Sequence, residues 1–99
     1  MSRPYLFHYA SSFSRSHNLS MAISRTELHK AGFELSSAPA AWEQFAINAD
    51  TLVIVTSVPL SSSNTYVHVV ATSNLEESAK GWSARIMQAI KQSGMVMMD

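Results

Sequence analysis

The clearest periodic pattern lies near the end of the chain and predicts a helix from about Leu75 to Ser93. Asn74 is a favourable N-cap, and Glu77 three residues later completes a capping box. Gly94 supplies the positive φ that is common just beyond a helix. Residues at helical spacing form one narrow stripe: Leu75, Ala79, Trp82, Ile86, Ala89, Ile90 and Ser93.

Two β-branched segments before this helix predict an antiparallel hairpin. The first covers residues 51–58 and ends at Pro59, and the second covers residues 65–71. A short segment rich in serine separates them, which is typical of a hairpin connection. A third, aromatic segment from Tyr5 to Ala10 has the composition of a further strand.

The pattern between residues 11 and 50 fits more than one secondary structure. Apolar residues from Leu19 to Ile23 alternate as in a strand, yet the same segment presents an apolar face if it is a helix ending at Gly32. Residues 38–47, with Pro39 near the start, favour a further short helix or a packed loop.

A faint internal repeat suggests the order of these elements. A strand, a polar turn and a candidate helix ending in glycine occur within residues 5–32 and again within residues 66–94. With residues 51–58 and 95–98 as further strands, the order is β-α-β-β-α-β, the ferredoxin-like plait, an α+β fold with helices on one face of an antiparallel sheet. The alternative is another small α+β domain in which residues 19–24 pair with the first strand as an N-terminal hairpin.

Both faces of the predicted sheet are apolar, whereas an antiparallel sheet with helices on one side usually alternates apolar and polar residues. Each parity of the strand at 51–58 carries valine, leucine or isoleucine. The face away from the helices therefore needs a cover. Two alternatives remain for this cover: residues 33–50 of the same chain, or a second copy in a symmetric dimer. In the dimer, a ligand cavity between the sheets is a further option.

Composition narrows the functional classes. The 99 residues fit one domain, residues 1–99, with seven basic and seven acidic residues and only 14% charged. This balance argues against nucleic-acid binding driven by phosphate contacts. The lack of cysteine excludes disulfides and thiolate chemistry. No apolar segment has the length of a membrane span or the pattern of a signal peptide, so we expect a cytoplasmic protein without membrane association.

Two histidines lie within predicted strands, and they are weak candidates for catalysis. His8 and His68 approach each other if the first strand neighbours the strand at 65–71. Imidazole titrates near neutral pH and binds metals, so the pair suggests an acid/base couple or a metal pair. The alternative is two half-buried residues with one hydrogen bond each. No third ligand stands at a typical spacing, so neither a metal nor a cofactor is predicted.

Two further sets of residues are candidate binding sites. A serine-rich loop before the first candidate helix offers Ser14, Arg15 and His17 to an anion. This loop lacks the glycines of a phosphate-binding loop, which favours a simple turn with helix caps. A candidate sheet face consists of Tyr5, Phe7, Tyr9, Tyr66 and His68. Because no basic residue lies among these aromatics, RNA binding is not expected.

No serine, histidine or carboxylate spacing predicts a known catalytic arrangement. We therefore expect a small binding or protein-interaction module that self-associates through an apolar sheet face, as a homodimer or as a subunit on another protein. The alternative is a small enzyme of the dimeric α/β-barrel kind, with a cavity over the sheet and a histidine as acid/base.

Overall fold

One antiparallel sheet and two helices make up the fold. The computed structural model describes residues 4–36 and 42–97, with side chains up to Ser93. Its elements in chain order are β1 (Tyr5–Phe13), α1 (His17–Lys30), β2 (Glu34–Ser36), β3 (Glu43–Ile47), β4 (Thr51–Pro59), β5 (Thr65–Ser73) and α2 (Glu76–Met97). The strand order across the sheet is β1-β5-β4-β3-β2, and every neighbouring pair is antiparallel.

The strongest sequence patterns correspond to elements of the structure. The predicted hairpin is confirmed as β4 and β5, with Thr51 opposite Ser73 and Pro59 opposite Thr65. The predicted C-terminal helix is confirmed as α2, but it continues past Gly94 to Met97. The predicted strand at residues 95–98 is therefore wrong for residues 95–97, and residue 98 lies outside the described residues.

The structure shows a small α+β domain, whereas the plait is not confirmed. The described residues form five strands and end in a helix, so neither the element order nor the strand order is that of the plait. The N-terminal hairpin is wrong as well, because residues 19–24 lie inside α1. Residues 43–47 form β3 instead of a short helix, since pairing with β4 gives this segment a hydrogen-bonded ladder.

Local signals define both ends of α1. The Ser16 hydroxyl oxygen accepts a hydrogen bond from the Leu19 backbone N–H at 3.2 Å, which is the N-cap interaction. Just beyond the other end, Gly32 has φ +88°, a conformation that glycine adopts without strain. Because β1 and β2 lie at opposite edges of the sheet, α1 connects one edge to the other.

The core lies between the sheet and the two helices. Leu28 of α1 and Ile90 of α2 are fully buried, and Phe33 meets Trp82 edge to face with 4.8 Å between ring centroids. The strands contribute buried residues from one side of the sheet: Ala46, Val53, Val55, Val67, Val69 and Ala71. Within the described part of the chain, neither helix is long and apolar enough to cross a membrane.

The buried hydroxyl of Ser57 supplies a test of this core. Ser57 is fully buried on β4, and its Oγ has no hydrogen-bond partner among the described residues. Because an unpaired buried hydroxyl is unfavourable, we expect Ser57→Ala to raise the free energy of unfolding by about 1 kcal/mol, measured by urea denaturation.

Ser24→Ala is the matched control. Ser24 is equally buried, but its Oγ donates a hydrogen bond to the Ser20 carbonyl at 2.8 Å, so this variant gains no such stability. A destabilised Ser57→Ala variant would contradict the assignment of Ser57 as an unsatisfied group.

Candidate functional site: the open face of the sheet

The side of the sheet away from the helices forms a continuous surface that we call the open face. The cross-strand register and the alternating burial place these residues on it: Leu6, His8, Ala10, Ser12, Glu34, Ser36, Glu43, Phe45, Ile47, Leu52, Ile54, Thr56, Val58, Tyr66, His68, Val70 and Thr72. The fractional exposure is 61% for Leu6, 44% for Ile47 and 39% for Tyr66, so the helices leave this apolar surface uncovered.

The described residues between 33 and 50 do not cover the open face, so this predicted intrachain cover is wrong for them. Phe33 is buried on the helix side against Trp82. Phe45 and Ile47 belong to β3 and extend the open face themselves, because β3 pairs in the same sheet as β4. Residues 37–41 lie outside the described residues.

The open face brings together the two histidines singled out in the sequence. Nε2 of His68 lies 3.2 Å from Nδ1 of His8, and the rings are nearly perpendicular at 88° with centroids 5.2 Å apart. Their strands β1 and β5 are hydrogen-bonded neighbours, with His68 opposite Ala10. In this contact one ring nitrogen donates a proton and the other accepts it, so at least one of the two facing nitrogens is unprotonated.

Burial and charge both act on the pKa of His68. Burial lowers the pKa from its ordinary value of 6.5, and the nearby charge of His8 lowers it further. Folding therefore favours neutral His68. Since the unfolded chain binds this proton more readily, His68 lowers the stability of the fold as the pH falls below 6.5, until the folded-state pKa is passed.

An NMR titration of the imidazole signals checks this pKa shift. We expect the midpoint of His68 to lie below 6.5. His8→Gln removes the smaller of the two causes, so it should move the midpoint back only partway. A midpoint at or above the ordinary value in the wild-type protein would contradict the burial of this ring.

The candidate aromatic face is divided between the two sides of the sheet. Tyr66 and His68 lie on the open face. Tyr5, Phe7 and Tyr9 of β1 lie on the helix side, because they stand opposite helix-side residues of β5. The sequence shows that alternate residues of each strand point to opposite sides, but the register between β1 and β5 determines which residues of the two strands lie on the same side.

The candidate anion loop is tied into the fold. Arg15 is only 9% exposed, lies 4.1 Å above the centre of the Phe13 ring, and donates a hydrogen bond from Nη2 to the Ile90 carbonyl at 3.3 Å. Burial lowers the pKa of this guanidinium. Ser14 is exposed, and His17 is the first residue of α1. These contacts hold the loop against α2, while neighbouring Ser16 caps α1.

Glu27 is a buried carboxylate that the sequence analysis did not single out. It is 8% exposed, and its Oε2 accepts hydrogen bonds from the Ser93 hydroxyl at 2.6 Å and from Lys30 Nζ at 3.4 Å. It borders a cavity of about 180 Å³ between the helices, together with Thr26 and Ser93. No local pattern signals this contact, because Ser93 is 66 positions away.

Comparison with known proteins assigns this chain to no family: no family model, no curated protein and no solved structure matches it.

Proposed function

We propose that this protein is a self-associating binding module whose open face docks onto the open face of a second copy. The observation that carries this proposal is the exposure of apolar side chains on a sheet face that the helices leave uncovered, above all Leu6, Ile47 and Tyr66. An apolar surface of this extent on a small domain is characteristic of an interaction site.

The charge of the open face favours a second copy as the partner. A two-fold dimer places the same patch against itself, so a patch with a strong charge of one sign would repel its own copy. None of the open-face residues is a lysine or arginine, and its acidic residues, Glu34 and Glu43, lie on β2 and β3 at one side of the sheet. The strands around its centre contribute neutral side chains such as Ile54 and Val70.

The area of the open face also suits a dimer. Strands spaced about 4.8 Å apart and rising about 3.4 Å per residue give the five strands a projected area of about 570 Å². The accessible surface of protruding side chains exceeds their projection, so this face is on the order of the ~800 Å² that each partner buries in a standard interface. Two such faces can pack with the sheets about 10 Å apart, as in a β-sandwich.

Sedimentation velocity on the untagged full chain tests this function. We expect a species of twice the chain mass of 10.9 kDa at micromolar concentration, dissociating on dilution. A folded monomer throughout the micromolar range would overturn the proposal, even if that monomer captured a different protein.

A second candidate function is a small enzyme in which two open faces enclose a cavity. The contact between His8 and His68 favours it, because a neutral imidazole beside a second imidazole can accept and return a proton. In that case His68→Gln leaves the dimer intact but abolishes binding of a small molecule that co-purifies with the wild-type protein. Native mass spectrometry that finds no such molecule would contradict this candidate.

A further inference from the structure

We propose that His8 and His68 chelate a divalent metal ion such as Zn²⁺, Ni²⁺ or Cu²⁺. The ligand atoms are Nδ1 of His8 and Nε2 of His68. Imidazole nitrogen is a preferred ligand of these ions. The site belongs to a single chain, so it does not depend on the proposed dimer.

The distance between the two nitrogens fits a shared metal ion. Two nitrogens bound at about 2.0–2.1 Å, at angles between a right angle and a tetrahedral angle, lie about 2.9–3.4 Å apart. The observed separation of 3.2 Å is within this interval. A metal that replaces the hydrogen bond therefore requires no change in the distance between the two nitrogens, only a rotation of the rings that aims both lone pairs at one point.

When a metal ion replaces the hydrogen bond, the two neutral rings keep the same number of protons. Each neutral ring carries one N–H, and one of these lies between the facing nitrogens in the hydrogen bond. Metal binding requires a lone pair on both facing nitrogens, so that ring must carry its proton on the other nitrogen instead. Between two neutral rings this is a change of tautomer with no net loss of a proton. When either ring is protonated, the metal must displace a proton, so affinity falls in acid.

The surroundings of the pair are suited to a cation. None of the residues on the open face is a lysine or arginine, so no cationic side chain of this face opposes a metal ion. Its acidic residues, Glu34 and Glu43, lie on β2 and β3, at least two strands away from the pair. In a single chain, His8 is exposed on the edge strand β1 and His68 is half-buried, so an ion from solution can reach the pair before two open faces associate.

The site is an incomplete metal shell. Within residues 4–36 and 42–97, no group of three or more histidine, cysteine or acidic side chains is placed to hold a metal. The remaining coordination positions are therefore filled by water or by a ligand atom of a molecule bound to the open face. A metal with such open positions can bind an additional ligand.

Calorimetric titration of the untagged full chain with ZnCl₂ or NiCl₂ at neutral pH tests the site. We expect one ion per chain. Loss of either ligand removes the chelate effect, so His8→Gln and His68→Gln should each weaken binding by about a hundredfold. His29→Gln is the matched control, because His29 is exposed on α1 outside the pair, and it should bind as the wild type does.

Three outcomes would overturn the proposal: a wild-type chain that binds neither ion, pair variants that bind like the wild type, or an equal loss in His29→Gln. If a pair variant fails to fold, Cu²⁺ added to the wild-type protein replaces it as the test. The paramagnetic ion should first broaden the NMR signals of residues 8 and 68, and broadening centred elsewhere would exclude the site.

The metal site and the dimer are tested separately. A monomer that binds metal supports only the metal site, and a dimer that binds no metal supports only self-association.

Discussion

Ile54→Asp is expected to convert the dimer into a monomer at concentrations where the wild-type protein is associated. Ile54 lies on β4, the middle strand of the sheet, so its side chain is near the centre of the open face. An unpaired carboxylate buried there costs about 3–5 kcal/mol. That energy corresponds to a dissociation constant raised by more than about a hundredfold. Sedimentation velocity at matched concentrations measures the change.

Leu75→Asp is the matched control for charge and for loss of an exposed leucine. Leu75 is 55% exposed and immediately precedes α2, away from the open face, so this variant should remain dimeric. If Ile54→Asp fails to fold, as judged by circular dichroism, Leu6→Asp replaces it, because Leu6 is 61% exposed on the open face. A folded Ile54→Asp protein that stays dimeric would exclude the open face as the interface.

Leu28→Ala is expected to lower the free energy of unfolding by about 2–5 kcal/mol. Leu28 is fully buried, so truncation removes apolar contacts and leaves a cavity between α1 and the rest of the core. A domain of this size is stable by about 5–15 kcal/mol, so the loss is a large share of the total. Urea denaturation followed by circular dichroism measures it.

Thr26→Ala serves as the control on the same helix. Thr26 is exposed, and an exposed substitution of this kind changes stability by less than about 0.5 kcal/mol. If Leu28→Ala proved no more destabilising than Thr26→Ala, α1 would not pack on the sheet as described.

The elements predicted with the correct type are those with the longest and most regular patterns. β4 and β5 are nine residues each and rich in β-branched side chains, and α2 carries a stripe of apolar residues that repeats over several turns. In these segments local propensity and tertiary packing favour the same structure. Gly32 just beyond α1 was also predicted as a helix end, but the apolar residues from Leu19 to Ile23 fitted either period, and the capping role of Ser16 was not predicted.

The elements that sequence reasoning missed are short or depend on pairing. β2 has three residues and β3 has five, too few to establish a period of two. Their structure follows from the ladder to β4, a contact that no local pattern shows. The internal repeat within residues 5–32 and 66–94 suggested a repeated fold, whereas residues 95–97, where the plait requires its final strand, belong to α2.

The candidate site shows the same division. The approach of His8 to His68 required only that β1 and β5 be neighbours, and a two-strand argument can reach that arrangement. The division of the aromatic residues between the two sides of the sheet depends on the register between β1 and β5. A shift of one residue in this register moves every side chain of the strand to the other face. The bond between Glu27 and Ser93 required the packing of two helices, which the sequence alone did not provide.

The location of the core separates folding from the proposed association. The helices and the sheet of one chain bury Leu28, Val55 and Ile90 completely, without help from a second molecule. Under the proposed function, folding is therefore a first-order event within each chain, and association is a second-order event between folded domains. The fraction of paired molecules would then rise with protein concentration, and any property that only the pair possesses would rise with it.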